Sequence, residues 1–263
     1  MANINKNSFI NKNIKAIKKC WNSFCKIFFP SNIKCLCCGR DLPEKREIEF
    51  CDKCKSKLPY LSDKYICKVC GIDIPGMGSV CLQCKTNKRR FKENRSVFVY
   101  DGFIRKLILD FKFENKRYLA NTFGNELAKL FETLDWNIDV VVPAPLGPKR
   151  LKSRGYNQSE LLAKAFCKKA NLSLSTKILY KIRDTSQQSK STYAERHKNL
   201  TGSIKVENKI LVKDRNILLI DDILTSGATA NCCAKALYKA GANAVYVLTI
   251  ARASVKIPQE KGI

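Results

Sequence analysis

Two acidic residues and a short hydroxyl-rich loop follow an apolar segment in the C-terminal part of the chain. Asp221 and Asp222 come directly after the run NILLI, whose apolar character predicts a buried strand. The loop that follows is made of small and hydroxyl-bearing residues: Thr225, Ser226, Gly227, Ala228 and Thr229. A helix that begins at such a loop presents unpaired backbone N–H groups and positive dipole, which bind phosphate. The pattern therefore predicts a phosphate site.

The two carboxylates extend the chemistry of this site to ribose or metal. Acids at the carboxyl end of a central strand lie where open α/β sheets bind ligands, and they can hold ribose hydroxyls or Mg²⁺. Gly227 allows the backbone to approach the phosphate closely. Two aspartates after a strand also occur in phosphatases, in receiver domains and as helix caps. The complete pattern of strand, acids and loop is more specific than the acids alone.

Eight of the 14 cysteines form Cys-x-x-Cys pairs, which are Cys35/Cys38, Cys51/Cys54, Cys67/Cys70 and Cys81/Cys84. This paired spacing favours metal over disulfides, and eight thiolates suffice for two tetrahedral zinc sites. A module this short has almost no apolar core, so metal must supply its folding energy. Because four thiolates leave no position for water, we expect structural zinc at two sites rather than catalytic zinc.

The pairing of the cysteines admits more than one scheme. Sequential pairing, with residues 35, 38, 51 and 54 in one site and 67, 70, 81 and 84 in the other, is the simplest. Interleaved pairing is also compatible with the spacing, and a single Cys-x-x-Cys pair can be redox-active. Cys37 is expected to be a bystander, although it can replace Cys35 or Cys38 in a distorted site.

The elements that must position these residues change in character along the chain. Residues 1–34 predict a basic helix or tail, residues 35–90 a zinc-ribbon module, and residues 97–263 an α/β domain. In the last part, apolar strands alternate with helices, which predicts a parallel sheet covered on both faces. A long polar stretch from Asp184 to Leu200 has no apolar face and is expected to be mobile without a ligand.

The segment ILLIDDILTSGAT resembles the PRPP (phosphoribosyl pyrophosphate) motif of type I phosphoribosyltransferases. The resemblance implies that Asp221 and Asp222 hold the ribose hydroxyls and that residues 225–229 wrap the 5′-phosphate of Mg-PRPP. VVVPAPL resembles the first core strand and pyrophosphate loop of these enzymes, with a bend at Ala144, Pro145 and Leu146. The polar stretch from Asp184 falls where the family has its flexible catalytic loop.

A narrower resemblance covers nearly the whole chain from about Phe28. RGYNQ, QQSKSTYAERHKNL and LLIDDILTSGAT, joined to the Cys-x-x-Cys pairs, are similar to the ComF family of competence-associated phosphoribosyltransferase-like proteins. It implies a type I phosphoribosyltransferase fold with an N-terminal Cys-rich zinc-ribbon module. Gly147 stands where relatives often have His, so this chain lacks that side chain at its pyrophosphate loop. Ser226 stands where Thr is common and keeps the hydroxyl.

Clustered charge-assisted donors are needed to hold phosphoryl groups. Candidates for the pyrophosphate side are Lys149, Arg150, Arg154, Asn157 and Gln158. Candidates on or beside the flexible loop are Arg183, Gln188, Arg196 and Asn199. Several of these side chains can instead cap helices or lie solvated on the surface, and the arginines are favoured over the lysines. No catalytic residue is assigned, His197 included, because displacement at the anomeric carbon needs no protein nucleophile.

A net charge of +26 favours polyanionic partners, either nucleic acid or phosphorylated metabolites. The richness in Lys, Asn and Ile also matches the amino-acid usage of an AT-rich genome, which raises charge without selection for DNA. Lys85, Lys88, Arg89 and Arg90 can extend a zinc-ribbon surface toward single-stranded DNA. No apolar run approaches the roughly 20 residues that span a bilayer, and the N-terminus is a poor secretory signal, so we expect a cytoplasmic protein.

Three functions fit these patterns. The first is a ComF-type protein that binds PRPP or a related phosphoribosyl ligand, contacts single-stranded DNA, and works with DNA-uptake machinery during natural transformation. The second is a metabolic phosphoribosyltransferase that makes a nucleotide from a free base, against which stands the lack of an identifiable base-recognition hood. The third is a non-enzymatic regulator that senses PRPP and uses the ribbon as a binding module.

Overall fold

The computed structural model describes residues 34–42, 50–61, 65–74, 78–184 and 202–253. The predicted N-terminal segment up to residue 33 lies outside these ranges, as do Gln188, Arg196, His197 and Asn199. Two compact units divide the chain, Met1–Lys57 and Leu58–Ile263. The boundary between them falls inside the segment 35–90, so the two sets of cysteines belong to different units. The module boundaries predicted from sequence stay a prediction.

The first unit contributes one short described helix, α1 (Asp52–Lys55). In the second unit the helices are α2 (Leu82–Thr86), α3 (Gly102–Phe113), α4 (Leu119–Glu132), α5 (Pro148–Arg154), α6 (Gln158–Ala170) and α7 (Ala228–Lys239). Its strands are β1 (Glu93–Val99), β2 (Val140–Pro143), β3 (Leu179–Lys181), β4 (Ile204–Val206), β5 (Asn216–Leu224) and β6 (Ala244–Arg252).

A four-stranded sheet in the order β1-β6-β5-β2 forms the centre of the second unit, and its neighbouring strands are parallel. All nine residues of β6 are buried. Because successive side chains of a strand point to opposite faces, this burial means that both faces of the sheet are covered. Helices α4 and α6 pack against each other and against strands of the sheet. The predicted parallel sheet flanked by helices is confirmed.

Two further strands, in the segments ILYKIR and GSIKV, do not join the parallel sheet. They form β3 and β4, which pair antiparallel in a separate two-stranded sheet. Each strand has one buried, one exposed and one half-buried residue, whereas β2, β5 and β6 of the central sheet are buried over most of their length. Such a pattern suits a sheet with one face in solvent.

Helix α5 was not predicted from sequence, since Pro148–Arg154 is basic and has no apolar stripe. Pro148 occupies its first turn, where the missing N–H costs nothing, and Gly155 ends it with φ +77° in the left-handed region. These end signals, rather than a buried face, define the helix. None of the helices within the described ranges combines the length and apolar character needed to cross a bilayer.

Candidate functional site

The predicted ligand loops meet at one edge of the central sheet. β2 and β5 are parallel neighbours, with Val140 opposite Ile217 and Pro143 opposite Ile220. The loop after β2 and the loop after β5 therefore emerge side by side. The Ala144 N–H donates to the Ile220 carbonyl at 2.8 Å, which fixes the start of the predicted pyrophosphate loop. Pro145 and Leu146 follow at the bend and are half-buried.

The phosphate loop, residues 225–229, connects β5 to the first turn of α7. Gly227 is the N-cap of α7 with φ +75°, a conformation that side chains rarely adopt. The helix has no side-chain cap hydrogen bond at Gly227. The Ser226 hydroxyl lies 3.4 Å from the Ala228 N–H, while Thr225 is exposed and Thr229 half-buried. This arrangement gives the predicted combination of helix N-terminus and hydroxyl donors.

The two carboxylates at the end of β5 contact the start of helix α6. The Ser159 hydroxyl donates to Asp221 Oδ1 at 2.9 Å. The Gln158 side-chain amide donates to Asp222 Oδ2 at 3.0 Å. Lys112 of α3 also lies 3.0 Å from Asp222 Oδ2, and the Asp222 side chain is buried. The acids are thus oriented before any ligand binds.

The position of Asp221 changes its titration. Burial at the end of β5 and the neighbouring charge of Asp222 raise the pKa of Asp221 to about 7, although the bonds from the Asp222 N–H and Ser159 hydroxyl oppose this. A carboxyl group with such a pKa loses its proton near neutral pH, and the carboxylate can then bind a cation or accept a hydrogen bond from a ribose hydroxyl. Carboxylate oxygens are ligands that Mg²⁺ accepts, so the residues present fit a Mg²⁺-bearing ligand.

The basic residues predicted for the pyrophosphate side differ in their surroundings. Lys149 is exposed and Arg150 half-buried, both on α5. The Arg154 guanidinium donates to Gln158 Oε1 and lies 5.1 Å from the ring centre of Phe113. Burial lowers the pKa of Arg154, and the charge of Asp222 opposes this. The structure therefore connects Arg154 to Asp222 through Gln158, whereas Arg183 is exposed beyond β3.

Gly147 makes room for a carboxylate that the sequence did not suggest. The Lys149 N–H donates to Asp184 Oδ2 at 2.8 Å, at the start of α5. A Cβ added at Gly147 would lie 2.1 Å from Asp184 Oδ1, so a larger residue would displace this carboxylate. The absence of a side chain at position 147 thus leaves space for the Asp184 carboxylate beside the start of α5.

Lys112, Ser159, Arg89 and Arg252 also contact the site but were missed from the sequence. Lys112 and Ser159 hold the acids, and Arg89 and Arg252 bond the backbone at the phosphate loop. One signal was present for Arg252, a cation that ends the apolar strand AVYVLTIAR. The other three carry no local pattern that separates them from surface residues.

The cysteines form two four-thiol clusters in the sequential order. Cluster 1 consists of Cys35, Cys38, Cys51 and Cys54, and cluster 2 of Cys67, Cys70, Cys81 and Cys84. In each cluster all four sulfur atoms lie within 4.8 Å of one another. Tetrahedral zinc with Zn–S bonds of about 2.3 Å places its sulfurs about 3.8 Å apart. The Cys38–Cys51 and Cys70–Cys81 sulfurs are 3.8 and 3.7 Å apart, so both clusters fit such an ion.

The two clusters repeat one local structure. A β-bridge encloses each first pair, Lys34 with Asp41 in cluster 1 and Ile66 with Asp73 in cluster 2. The third cysteine of each cluster is the N-cap of a short helix, Cys51 for α1 and Cys81 for α2. The N–H of that N-cap residue donates to the first sulfur, at 3.3 Å in cluster 1 and 3.4 Å in cluster 2. The arrangement of four cysteines therefore occurs twice, with the same local structure each time.

Burial distinguishes the clusters. Cys67, Cys70 and Cys84 belong to the hydrophobic core of the second unit, which also contains strand residues of the central sheet. In cluster 1, Cys38 is exposed and Cys51 and Cys54 are half-buried. Cys37 is exposed and is not part of either cluster, as expected of a bystander. Cluster 2 is therefore part of the core of the second unit.

Comparison with known proteins assigns the family. Competence protein ComFC of Bacillus subtilis (strain 168) is 30% identical over 206 residues, which cover 75% of this chain and 81% of that protein. The chain belongs to the ComF family. Competence protein F of Haemophilus influenzae is 25% identical over 232 residues, and the match covers 84% of this ComF chain and 98% of that protein. DNA utilization protein YhgH of Escherichia coli (strain K12) is 26% identical over 73% of this chain and 86% of its own.

Family membership and the parallel sheet confirm the predicted fold class, a type I phosphoribosyltransferase domain with cysteine clusters that fit a zinc ribbon. No family model matches the ComF chain. Solved structures similar to it include PRPP amidotransferase of B. subtilis, 20% identical over 49% of this chain and 25% of that one, with a TM-score of 0.35. A hypoxanthine phosphoribosyltransferase of Staphylococcus aureus is 16% identical over 55% and 69%, with a TM-score of 0.31.

Proposed function

We propose that this ComF protein binds Mg-PRPP at the edge of the sheet formed by β2 and β5, and that it handles single-stranded DNA during uptake. One observation supports the ligand most directly: two oriented carboxylates and a helix N-terminal hydroxyl loop occupy the end of the same central strand. The names of the relatives, competence and DNA utilization proteins, support the process. Its protein partners would belong to the uptake machinery.

Each part of the ligand has a proposed position. The 5′-phosphate binds residues 225–229, and the ribose hydroxyls bind Asp221 and Asp222. The pyrophosphate, with its Mg²⁺, lies against the bend at residues 144–146 and the basic residues of α5, and Arg154 orients Gln158 beside it. Arg183, Gln188 and Arg196 remain proposed contacts of the loop. Cluster 1 and cluster 2 each hold structural zinc.

Binding and turnover are separate parts of this function. Displacement at the anomeric carbon would need only positioned charge on the leaving pyrophosphate, which Mg²⁺ and the basic residues supply. Pyrophosphate release measured with a panel of free bases separates a transferase from a PRPP sensor. Base-dependent release would show a transferase, and binding without release would show a sensor.

Gly227→Ala is expected to weaken Mg-PRPP binding at least tenfold and to destabilise the protein by about 1 to 3 kcal/mol. The new Cβ would combine an unfavourable φ of +75° with a 2.9 Å contact to Arg89 Nη1. Gly202→Ala is the matched control, because its φ is +74° and no atom lies within 4 Å of the added Cβ. Calorimetric titration and thermal melts of both variants measure the effect. Equal affinities of the two variants would argue against phosphate binding at this loop.

The DNA part of the proposal predicts a specific salt response. Lys85, Lys88 and Arg90 are exposed, whereas Arg89 of the same connector is buried and points to the phosphate loop, contrary to its sequence assignment to the DNA surface. Changing the three exposed residues to Gln should lower the slope of log affinity against log salt by about 2, since each contact to single-stranded DNA contributes about 0.7.

Electrophoretic shifts of a single-stranded oligonucleotide across a salt series measure this slope. A matched control changes three exposed lysines of α6, Lys164, Lys168 and Lys169, to Gln and removes the same charge. An unchanged slope in the connector variant, or an equal loss in the control, would place the DNA surface elsewhere.

A further inference from the structure

Arg252 connects cluster 2 to the backbone at the phosphate loop. It ends β6, and its side chain is 1% exposed. Its Nη1 donates to the carbonyls of Leu224 at 2.8 Å and Thr225 at 2.7 Å, and to that of Ala253 at 2.9 Å. Its Nη2 lies 3.8 Å from the sulfur of Cys70. One buried guanidinium thus touches both a cluster thiol and the end of β5.

Arg89 makes a second connection of the same kind. It is 8% exposed, and its Nη1 donates to the Ser226 carbonyl at 2.5 Å. Its guanidinium also hydrogen-bonds the thiol of Cys84, and its Nη2 donates to Gln83 Oε1 at 3.2 Å, next to that cysteine. The carbonyls of three consecutive residues, 224 to 226, are therefore held by two arginines that also contact cluster 2.

The electrostatics of this arrangement favour coupling. A buried guanidinium needs opposite charge and acceptors, since desolvation of an unpaired charge costs several kcal/mol. Four thiolates outweigh the charge of one zinc ion, so an occupied cluster supplies the compensating negative charge. The loop carbonyls supply the acceptors on the other side. Loss of either partner leaves the same two cations incompletely paired.

We propose that Arg252 and Arg89 are positioning residues that transmit the geometry of cluster 2 to the phosphate loop, so that metal binding at the cluster and Mg-PRPP binding at the loop stabilise each other. The ligand half of this inference rests on the proposed function. By linkage the coupling is reciprocal: metal raises the affinity for Mg-PRPP by the factor by which Mg-PRPP raises the affinity for metal.

Amide hydrogen exchange of the zinc-loaded full chain tests the positioning role without PRPP. Arg89→Gln is expected to raise the exchange rate across residues 225–229 at least tenfold, while residues 217–220 of β5 stay protected. Arg95→Gln is the matched control, because Arg95 Nη1 donates to the carbonyl of Lys68, which lies between Cys67 and Cys70 in sequence, and to that of Asn94, but not to the phosphate loop. If Arg89→Gln does not fold, Arg252→Lys takes its place. It keeps the positive charge but loses the forked guanidinium, so a smaller rise in the exchange rate is expected.

Zinc transfer to a colorimetric chelator, with and without saturating Mg-PRPP, tests the coupling. In wild type and Arg95→Gln, Mg-PRPP should slow the release of one of the two zinc ions at least tenfold; in Arg89→Gln it should not. Unchanged loop exchange in both arginine variants overturns the positioning role. Equal zinc release with and without a bound ligand overturns the coupling. Absence of Mg-PRPP binding to wild type would instead overturn the proposed function, and the exchange result would still decide the role of the arginines.

Discussion

Cys67→Ser is expected to destabilise the second unit by more than about 5 kcal/mol, because it removes a ligand of a cluster that lies in the core of that unit. Cys67 is fully buried and accepts an N–H bond from Cys81. Its loss weakens metal binding and leaves three thiols in an apolar core. The matched control is Cys35→Ser, which removes the equivalent ligand of cluster 1 in the first unit.

Differential scanning calorimetry of both variants, together with zinc counting by native mass spectrometry, measures this difference. Each variant should lose one zinc ion. The transition of the second unit should change by less than about 1 kcal/mol in Cys35→Ser, since that variant leaves all four ligands of cluster 2 in place. Equal destabilisation of that transition by both variants, or none by Cys67→Ser, would contradict the assignment of cluster 2 to the core.

Asp221→Asn is expected to weaken Mg-PRPP binding at least 100-fold at pH 8 and to abolish its pH dependence. The pKa of Asp221 is about 7, so a growing fraction of the carboxyl groups is protonated as the pH falls below 7. Since Mg²⁺ and ribose hydroxyls bind the carboxylate, affinity in the native protein should fall as the pH falls through about 7. Asparagine neither ionises nor binds Mg²⁺ well, so the variant should lose both the affinity and its dependence on pH.

The stability of the unliganded protein should change with pH in the opposite sense. The folded-state pKa of Asp221 lies above the ordinary value of 3.8, so the folded state binds the proton more tightly than the unfolded state. The stabilising contribution of this proton is fully present below about pH 4 and is lost as the pH rises through about 7. Asp221→Asn should remove this contribution from the pH profile of the free energy of unfolding.

Titrations at several pH values with Asp139→Asn as control measure these effects. Asp139 precedes β2 and accepts the Asn216 N–H at 2.7 Å, at the other end of β5, so the control removes one carboxylate charge that contacts the same strand without touching the site. Retained affinity in Asp221→Asn, or an equal loss in Asp139→Asn, would contradict the assignment of Asp221 to the ligand.

The part of the site that could be predicted from sequence is the part whose requirements are local. A buried strand needs consecutive apolar residues, a phosphate loop needs Gly at a positive φ, and both requirements are met within residues 217–229. Each cysteine cluster likewise depends on short spacings, Cys67 to Cys70 and Cys81 to Cys84. None of these local requirements depends on the rest of the fold.

The supporting residues could not be predicted, because their role depends on distant contacts. Arg89 bonds Ser226, which lies 137 residues further along the chain, and its neighbours in sequence are exposed cations. Lys112 contacts Asp222 only because α3 ends beside β5. The antiparallel pairing of β3 with β4 could not be predicted either. Each strand has only three residues, too few to show an alternation of buried and exposed positions. From their residue types alone, Arg89, Lys112 and the two short strands would be placed on the surface.

Calorimetric titration of the zinc-loaded wild-type protein with PRPP, with and without Mg²⁺, tests the central claim most directly. Saturable binding at one site per chain is expected with Mg²⁺, and it should weaken strongly when Mg²⁺ is chelated, because the cation would offset the charge of the pyrophosphate in a site that contains two carboxylates. Ribose 5-phosphate and pyrophosphate should each bind more weakly than PRPP, since each fills only part of the site. No saturable binding of Mg-PRPP, or the same affinity for pyrophosphate alone, would contradict a PRPP site at β5 and α7.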